Sequence, residues 1–259
     1  AEIGGKGLFT KELEDALWDG RIDAAVHSMK DVPTWLPEGL IIPAMLPRED
    51  PRDAWFSDHG ESIAALPAGS VVGSASMRRQ AQILAQRPDL KVVNFRGNLQ
   101  TRLRKLRDGE VQATLLAMAG LKRMGVADQA TAVLATDELL PAVGQGAIGI
   151  EVRSDDRATS ETVAAVDDTP THRRVAAERA CLDVLDGSCR TPIGVLAEFS
   201  DDKADLRLRA LVAEPDGRHI WRSERSGATG DAEALARDAG AELRAAAGED
   251  FFEKLADLF

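Results

Sequence analysis

Between residues 70 and 123 short apolar runs alternate with amphipathic helical stretches, and no other feature narrows the fold so far. Ser70 to Gly73 reads as a strand, and Ser74-Ala75-Ser76 turns into a helix over Met77–Gln86. Val92–Phe95 is the next strand. Asn98 then caps a helix that lines Leu99, Leu103 and Leu106 along one face, and Val111–Ala117 is a further strand. This alternation predicts an α/β fold with a parallel or mixed sheet. Upstream, a helix over Thr10–Trp18 ends at Gly20 and a buried strand covers Ile22–Val26. His27 to Pro33 follows as a loop, because Pro33 bars a helix. Downstream, the Gly-rich run Pro141–Ala147 interrupts the pattern like a crossing between domains. The tail changes character. A helix over Thr171–Leu185 precedes strands near Val195–Phe199, Leu206–Ala213 and His219–Ser226 and a helix over Ala232–Ala246, which together make a small α+β domain with an antiparallel sheet.

Composition limits the function classes. The 259 residues carry a net charge of −11, so a chain-wide basic footprint for nucleic acid is absent, and arginines concentrated in a few loops become more informative. No apolar run approaches the roughly 18 residues that would cross a bilayer. Four scattered histidines and the two cysteines Cys181 and Cys189, with no C-x-x-C pair, give no support for a metal site. The cysteine usage and the absence of a leader at Ala1 point to the cytosol, although processing leaves the same start. The chain opens straight into a Gly-rich loop and a helix, where an α/β domain ordinarily opens with a strand. A leading segment is therefore expected to be missing.

Two adjacent arginines, Arg78 and Arg79, fall in the first turn of a helix, where the dipole disfavours cations. An anionic ligand using both the free N–H groups and the guanidiniums would account for them, and a solvated surface pair is the competing reading. Arg96 ends a strand, where open α/β sheets bind ligands, and Arg123 follows another strand and a glycine. Arg102 lies beside the apolar stripe of its helix, whereas Arg104 and Lys105 are expected in solvent. Together they outline a cleft that grips carboxylates bidentately. Asp31, next to Lys30 in a loop after a strand, is placed to steady a positive intermediate, or else is an ordinary turn residue. Cys189 sits in the loop Asp186-Gly187-Ser188-Cys189-Arg190-Thr191-Pro192, where Arg190 favours its thiolate. Cys181, inside a helix, reads as an inert buried thiol.

Several segments, taken in order, resemble porphobilinogen deaminases. They are Gly4-Gly5-Lys6-Gly7-Leu8-Phe9, His27-Ser28-Met29-Lys30-Asp31-Val32-Pro33, Glu49-Asp50-Pro51-Arg52-Asp53-Ala54, Ser76-Met77-Arg78-Arg79-Gln80, Arg96-Gly97-Asn98, Ala119-Gly120-Leu121-Lys122-Arg123, Pro141-Ala142-Val143-Gly144-Gln145-Gly146 and Gly187-Ser188-Cys189-Arg190-Thr191-Pro192-Ile193-Gly194. The resemblance implies two hinged α/β domains like those of periplasmic binding proteins, plus the small C-terminal α+β domain. The first would comprise residues 1–46 and 147–166, the second 47–146 and the third 167–259. It further implies a dipyrromethane cofactor joined by a thioether to Cys189, onto which four porphobilinogen units are added head to tail with loss of ammonia. Water then releases hydroxymethylbilane, a step of tetrapyrrole (haem) synthesis.

By the same resemblance Asp31 is the catalytic carboxylate and also touches the cofactor. Lys30, Ser76, Arg78 and Arg79 bind the cofactor. Arg96, Arg102, Arg123, Gln145 and Lys6, the last on a mobile loop, bind substrate. A cytoplasmic monomer is expected, with porphobilinogen as its partner and neither nucleic acid nor membrane. Roughly the first fifty residues of the family pattern are absent. A periplasmic-type binding protein that performs no chemistry, and an inactive fragment of the enzyme, are the alternatives. Cys189 in its Gly/Pro loop speaks against the former.

Overall fold

A computed structural model describes residues 8–187 and 191–256. In chain order these form α1 (Leu8–Trp18), β1 (Ala24–Ser28), β2 (Leu40–Met45), β3 (Asp53–Ser57), β4 (Val71–Gly73), α2 (Met77–Gln86), β5 (Lys91–Val93), α3 (Leu99–Arg107) and β6 (Ala113–Ala117). Then come α4 (Met118–Arg123), β7 (Ala132–Val133), β8 (Ile148–Arg153), α5 (Arg157–Ala164), α6 (Thr169–Val184), β9 (Ile193–Phe199), β10 (Asp205–Ala213), β11 (Ile220–Ala228), α7 (Ala232–Ala247) and α8 (Glu249–Ala256).

The helices start where side chains can take orphan N–H groups. Ser76, Asn98, Asp156 and Asp168 each accept from a backbone N–H three residues on, and thereby cap α2, α3, α5 and α6. The strands assemble into three sheets. The first is antiparallel, in the order β1-β8-β2. The second is mixed, β5-β4-β6-β3-β7, with β4 parallel to β5 and β6 and β3 antiparallel to β6 and β7. The third, β11-β10-β9, is antiparallel and buries one face under α6 and α7. The α/β class and the antiparallel C-terminal sheet thus agree with the sequence reading.

The chain passes twice between the first two sheets, through residues 46–52 on the way out and 134–147 on the way back. Tight packing there requires glycine. A Cβ on Gly146, at φ +90, would stand 2.3 Å from the Glu49 carbonyl oxygen of the other passage.

Three local expectations are corrected. The loop placed at His27–Pro33 is strand through Ser28 and then a 3₁₀ turn over Met29–Asp31, because His27 pairs in the sheet and Met29 is buried. Arg123 ends the six-residue helix α4 rather than following a strand. Arg96 lies three residues beyond β5.

Candidate active site

The site is built around Asp53, the first residue of β3, which is fully buried. Arg78 and Arg79 turn inward from the first turn of α2 and both reach it. Arg78 Nη2 donates to one carboxylate oxygen at 2.9 Å and Arg79 Nη2 to the other at 2.7 Å. Each guanidinium also donates to a buried carbonyl, Arg78 to Leu140 at 2.6 Å and Arg79 to Leu115 at 3.2 Å. Gln145, from the returning passage, adds an amide N–H to Asp53 at 2.9 Å and another to the Pro51 carbonyl at 2.6 Å. The two cations hold the Asp53 carboxyl far below its ordinary 3.8, although burial alone would raise it. The solvated-pair reading of Arg78 and Arg79 therefore fails, since both side chains are nearly inaccessible. Part of the anion they were expected to hold is the protein's own carboxylate. Yet Arg78 Nε and Arg79 Nε remain buried with no hydrogen-bond partner among the described residues.

Beside this cluster lies a narrow pocket lined by Lys30, Ser76, Arg78, Ala142, Val143, Leu182, Thr191 and Ile193. It is where all three sheets' segments meet. Lys30 comes from the turn after β1, Ser76 and Arg78 from the start of α2, Ala142 and Val143 from the returning passage, and the rest from α6 and the start of β9. Burial, and after it the charge of Arg79, lowers the Lys30 pKa, while Asp31 and Asp53 pull it up. Asp31 adjoins Lys30 with its side chain reaching solvent. Its pKa is raised by desolvation, against the opposing pull of Lys30 and a hydrogen bond from the Ser28 side chain.

The remaining arginines are spread more widely. Arg102 is half-buried and donates Nε to the Gly97 carbonyl at 2.8 Å. Its pKa is lowered by burial and by the charge of Arg79, which places the two cations within reach of one field. Arg96 is exposed and makes no ion pair among the described residues. Arg123 donates to the Gly146 carbonyl at 2.8 Å, so it borders the returning passage. Arg104 is exposed as expected, but Lys105 lies 5.3 Å over the Phe95 ring instead of free in solvent. Gln145, expected to touch substrate, is buried, with its amide nitrogen donating to Pro51 and Asp53. Cys181 is buried and its thiol is pushed up to about 12 by burial, as befits an inert residue. Lys6 and Cys189 lie outside the described residues. Gly187, two residues before Cys189, packs so closely on the pocket-lining Leu182 and Ile193 that a Cβ would clash with both; Thr191, two residues after it, lines the pocket itself.

Two groups escaped the sequence reading. Asp53 entered the sequence reading only within the segment Glu49-Asp50-Pro51-Arg52-Asp53-Ala54, with no role assigned, and nothing local names its partners. Glu178, on α6 and fully buried, accepts from Arg48 at 2.6 and 3.1 Å, from Gly144 N at 2.7 Å and from Ala197 N at 2.9 Å. One carboxylate thus grips both passages and the third sheet. Among the described residues no helix is long and apolar enough to cross a membrane.

Buried Arg78 and half-buried Lys30 line a small pocket where segments of all three sheets meet, a setting suited to an anionic ligand. Residues 1–161 match the family model "Porphobilinogen deaminase, dipyromethane cofactor binding domain", and residues 172–245 match "Porphobilinogen deaminase, C-terminal domain". A chloroplastic porphobilinogen deaminase of Oryza sativa subsp. japonica is 57% identical over 258 residues, covering 98% of this chain and 72% of its own length. Those of Nitrobacter hamburgensis and Paracoccus denitrificans are 56% and 55% identical, each covering 97% of this chain and 79% and 80% of their own. Among solved structures, a putative methionine-binding lipoprotein of Bacillus subtilis superposes with a TM-score of 0.40 at 16% identity, over 60% of this chain and 74% of its own, too slight a likeness to bear on the fold. The chain belongs to the porphobilinogen deaminase family. It is a transferase of tetrapyrrole synthesis that forms hydroxymethylbilane from porphobilinogen on a dipyrromethane cofactor, as the motifs implied.

Proposed function

We propose that Asp31 is the carboxylate that handles ammonia loss, and that Lys30, Ser76, Arg78 and Arg79 hold the cofactor tethered to Cys189. The observation that carries this reading is the convergence of Lys30, Ser76 and Arg78 on one pocket whose wall includes Thr191. The residues fit a dipyrromethane with acetate and propionate arms. The orphaned Nε–H groups of Arg78 and Arg79 are buried donors that carboxylates would satisfy, and charge-assisted bonds of that kind are the strong ones. When bound, the group supplies a tethered pyrrole with a nucleophilic α-carbon.

The chain's own residues do the rest. Asp31, with its proton affinity raised by desolvation, delivers a proton to the departing amine of porphobilinogen and then, as carboxylate, faces the positive charge left on the substrate pyrrole. The bound cofactor would supply the pyrrole α-carbon that forms a bond to the aminomethyl carbon as its C–N bond breaks, so that nitrogen would leave as ammonia and the displaced α-proton would pass to solvent. Arg96, Arg102 and Arg123 take the arms of the incoming unit, together with Lys6. Gln145 serves by orienting Asp53.

The same reading divides the chain into a first domain of residues 1–46 and 147–166, a second of 47–146 and a third of 167–259, the first two hinged at the passages. Each of the three sheets closing within one of these units supports that division. A cytoplasmic monomer free of nucleic acid and membrane belongs to the reading as well, and gel filtration tests its oligomeric part. Intact-mass measurement tests the core of it. Cys189→Ser lacks the cofactor's added mass and is inactive, and Asp31→Ala keeps that mass and binds substrate but turns over about 10²–10⁴-fold more slowly. A fully active wild-type protein without added mass would refute the assignment.

A further inference from the structure

Arg179 on α6 stands out because its guanidinium is mostly enclosed by protein yet makes no ion pair among the described residues. It donates instead to three consecutive backbone carbonyls, Val32 at 3.1 Å, Pro33 at 2.5 Å and Thr34 at 3.1 Å. Burial lowers its pKa, and the charge of Asp183 pulls it back only in part. Neutral carbonyls repay the desolvation of a guanidinium less fully than a carboxylate does, so the arrangement calls for a purpose beyond charge pairing. The three carbonyls belong to the segment that immediately follows Asp31.

The other side of Asp31 is held by the same helix. Val175, one turn before Arg179, packs in one buried cluster with Met29 and Val32, which flank the Lys30-Asp31 pair. The Met29 N–H is in turn tied to the Ala147 carbonyl at 3.0 Å. Further along α6, Glu178 grips the two passages between the sheets, and Leu182 lines the pocket just before the Cys189 loop begins. One rigid element therefore contacts the turn bearing the acid and ends five residues before Cys189 in the sequence.

We infer that Arg179 is a positioning residue for the reaction: it fixes the Asp31 turn to α6 and so holds that carboxylate in place beside the pocket that Lys30 and Leu182 line. The inference rests on the roles assigned above to Asp31 and Cys189. Misplacing a reacting group by about 1 Å costs up to about 10²-fold in rate, so the effect should appear in turnover and not in binding.

The test replaces Arg179 in the cofactor-loaded enzyme and normalises rates to the loaded fraction found by intact mass. For Arg179→Gln, kcat per loaded molecule should fall about ten-fold or more while KM stays within about three-fold and cofactor loading equals that of wild type. Arg179→Lys keeps the charge and some donors but loses the fork, so it should recover part of kcat, and it carries the test if Arg179→Gln does not fold. A kcat per loaded molecule equal to wild type in Arg179→Gln, or in Arg179→Lys where that alone folds, overturns the inference even if the melting temperature drops. Loss of cofactor mass would overturn it too, by moving the effect from turnover to assembly. Asp31→Ala measured alongside separates the two claims: full activity there would sink the site reading itself, whereas an inactive Asp31→Ala beside a normal Arg179→Gln would sink only this one.

Discussion

Arg78 and Arg79 on one side, and Arg96, Arg102 and Arg123 on the other, are five guanidiniums that the proposed function assigns to one site and that the structure keeps in two different states. The first two are buried, share Asp53 and are locked by carbonyls, so they cannot follow a moving ligand. The other three are exposed or half-buried, each with at most one backbone carbonyl as partner among the bonds described. The difference teaches how a protein can hold one anion permanently and pass others through. Pre-organised buried donors pay their desolvation during folding, whereas water-facing arginines retain the freedom to bind and release successive arms.

The sharpest way to break this contrast is Asp53→Asn. It leaves two buried guanidiniums facing each other without a counter-charge, which should cost about 3–5 kcal/mol. A thermal melt should fall by about 10 °C or more. An unchanged melt would show that the buried pair does not depend on Asp53. The same cluster sets an acid limit. The folded Asp53 pKa lies below its ordinary 3.8, so the unfolded chain takes up the proton first; stability from the cluster is complete above about pH 4 and is lost below it. Urea titrations across that range check the sign.

Next in size is Arg96→Ala. Removing an exposed cation that pairs with no other group among the described residues should leave the melt in place but lower kcat/KM, mainly through KM, by about 10- to 100-fold, the worth of one charged hydrogen bond. A matching loss of stability would erase the distinction between the two sets. A smaller effect is expected of Lys30→Met. Lys30 holds the Asp31 pKa down against desolvation, and Asp31 acts as the proton donor, so loss of Lys30 should move the alkaline limb of kcat in protein that retains cofactor to higher pH. A limb that stays put or moves down would separate Lys30 from Asp31. The smallest effect is reserved for Arg104→Ala, which should change neither rate nor stability by more than about 0.5 kcal/mol, as exposed helix positions behave.

Much of the fold was legible because its signals are local. The limits of α2 agree with the expectation at both ends, and Asn98 caps α3 as its side chain predicts. The third sheet and α7 were visible from alternation and from an amphipathic stripe. What escaped is non-local. β2 was hidden by Pro43, which cannot donate to a ladder, and the structure accommodates it on an edge strand where the register shifts between Ile41 and Ala44. β8 was hidden by its neighbours, since a strand pairing with β1 more than a hundred residues earlier leaves no mark nearby. At the site, the dipole argument found Arg78 and Arg79 but mistook their surroundings, because the carboxylate they meet comes from another strand. Asp31 drew notice from Lys30 beside it and Ser76 only from the family resemblance, whereas Asp53, Glu178 and Arg179 act entirely through distant partners.

Glu178 has a mechanical consequence. Outgoing and returning chain are both fastened to one carboxylate at 2.6–3.1 Å, and that carboxylate also receives an N–H from β9. The two passages are thus fastened to the third unit as well as to each other, and in the proposed hinge this carboxylate would be the fixed point about which the first two sheets swivel.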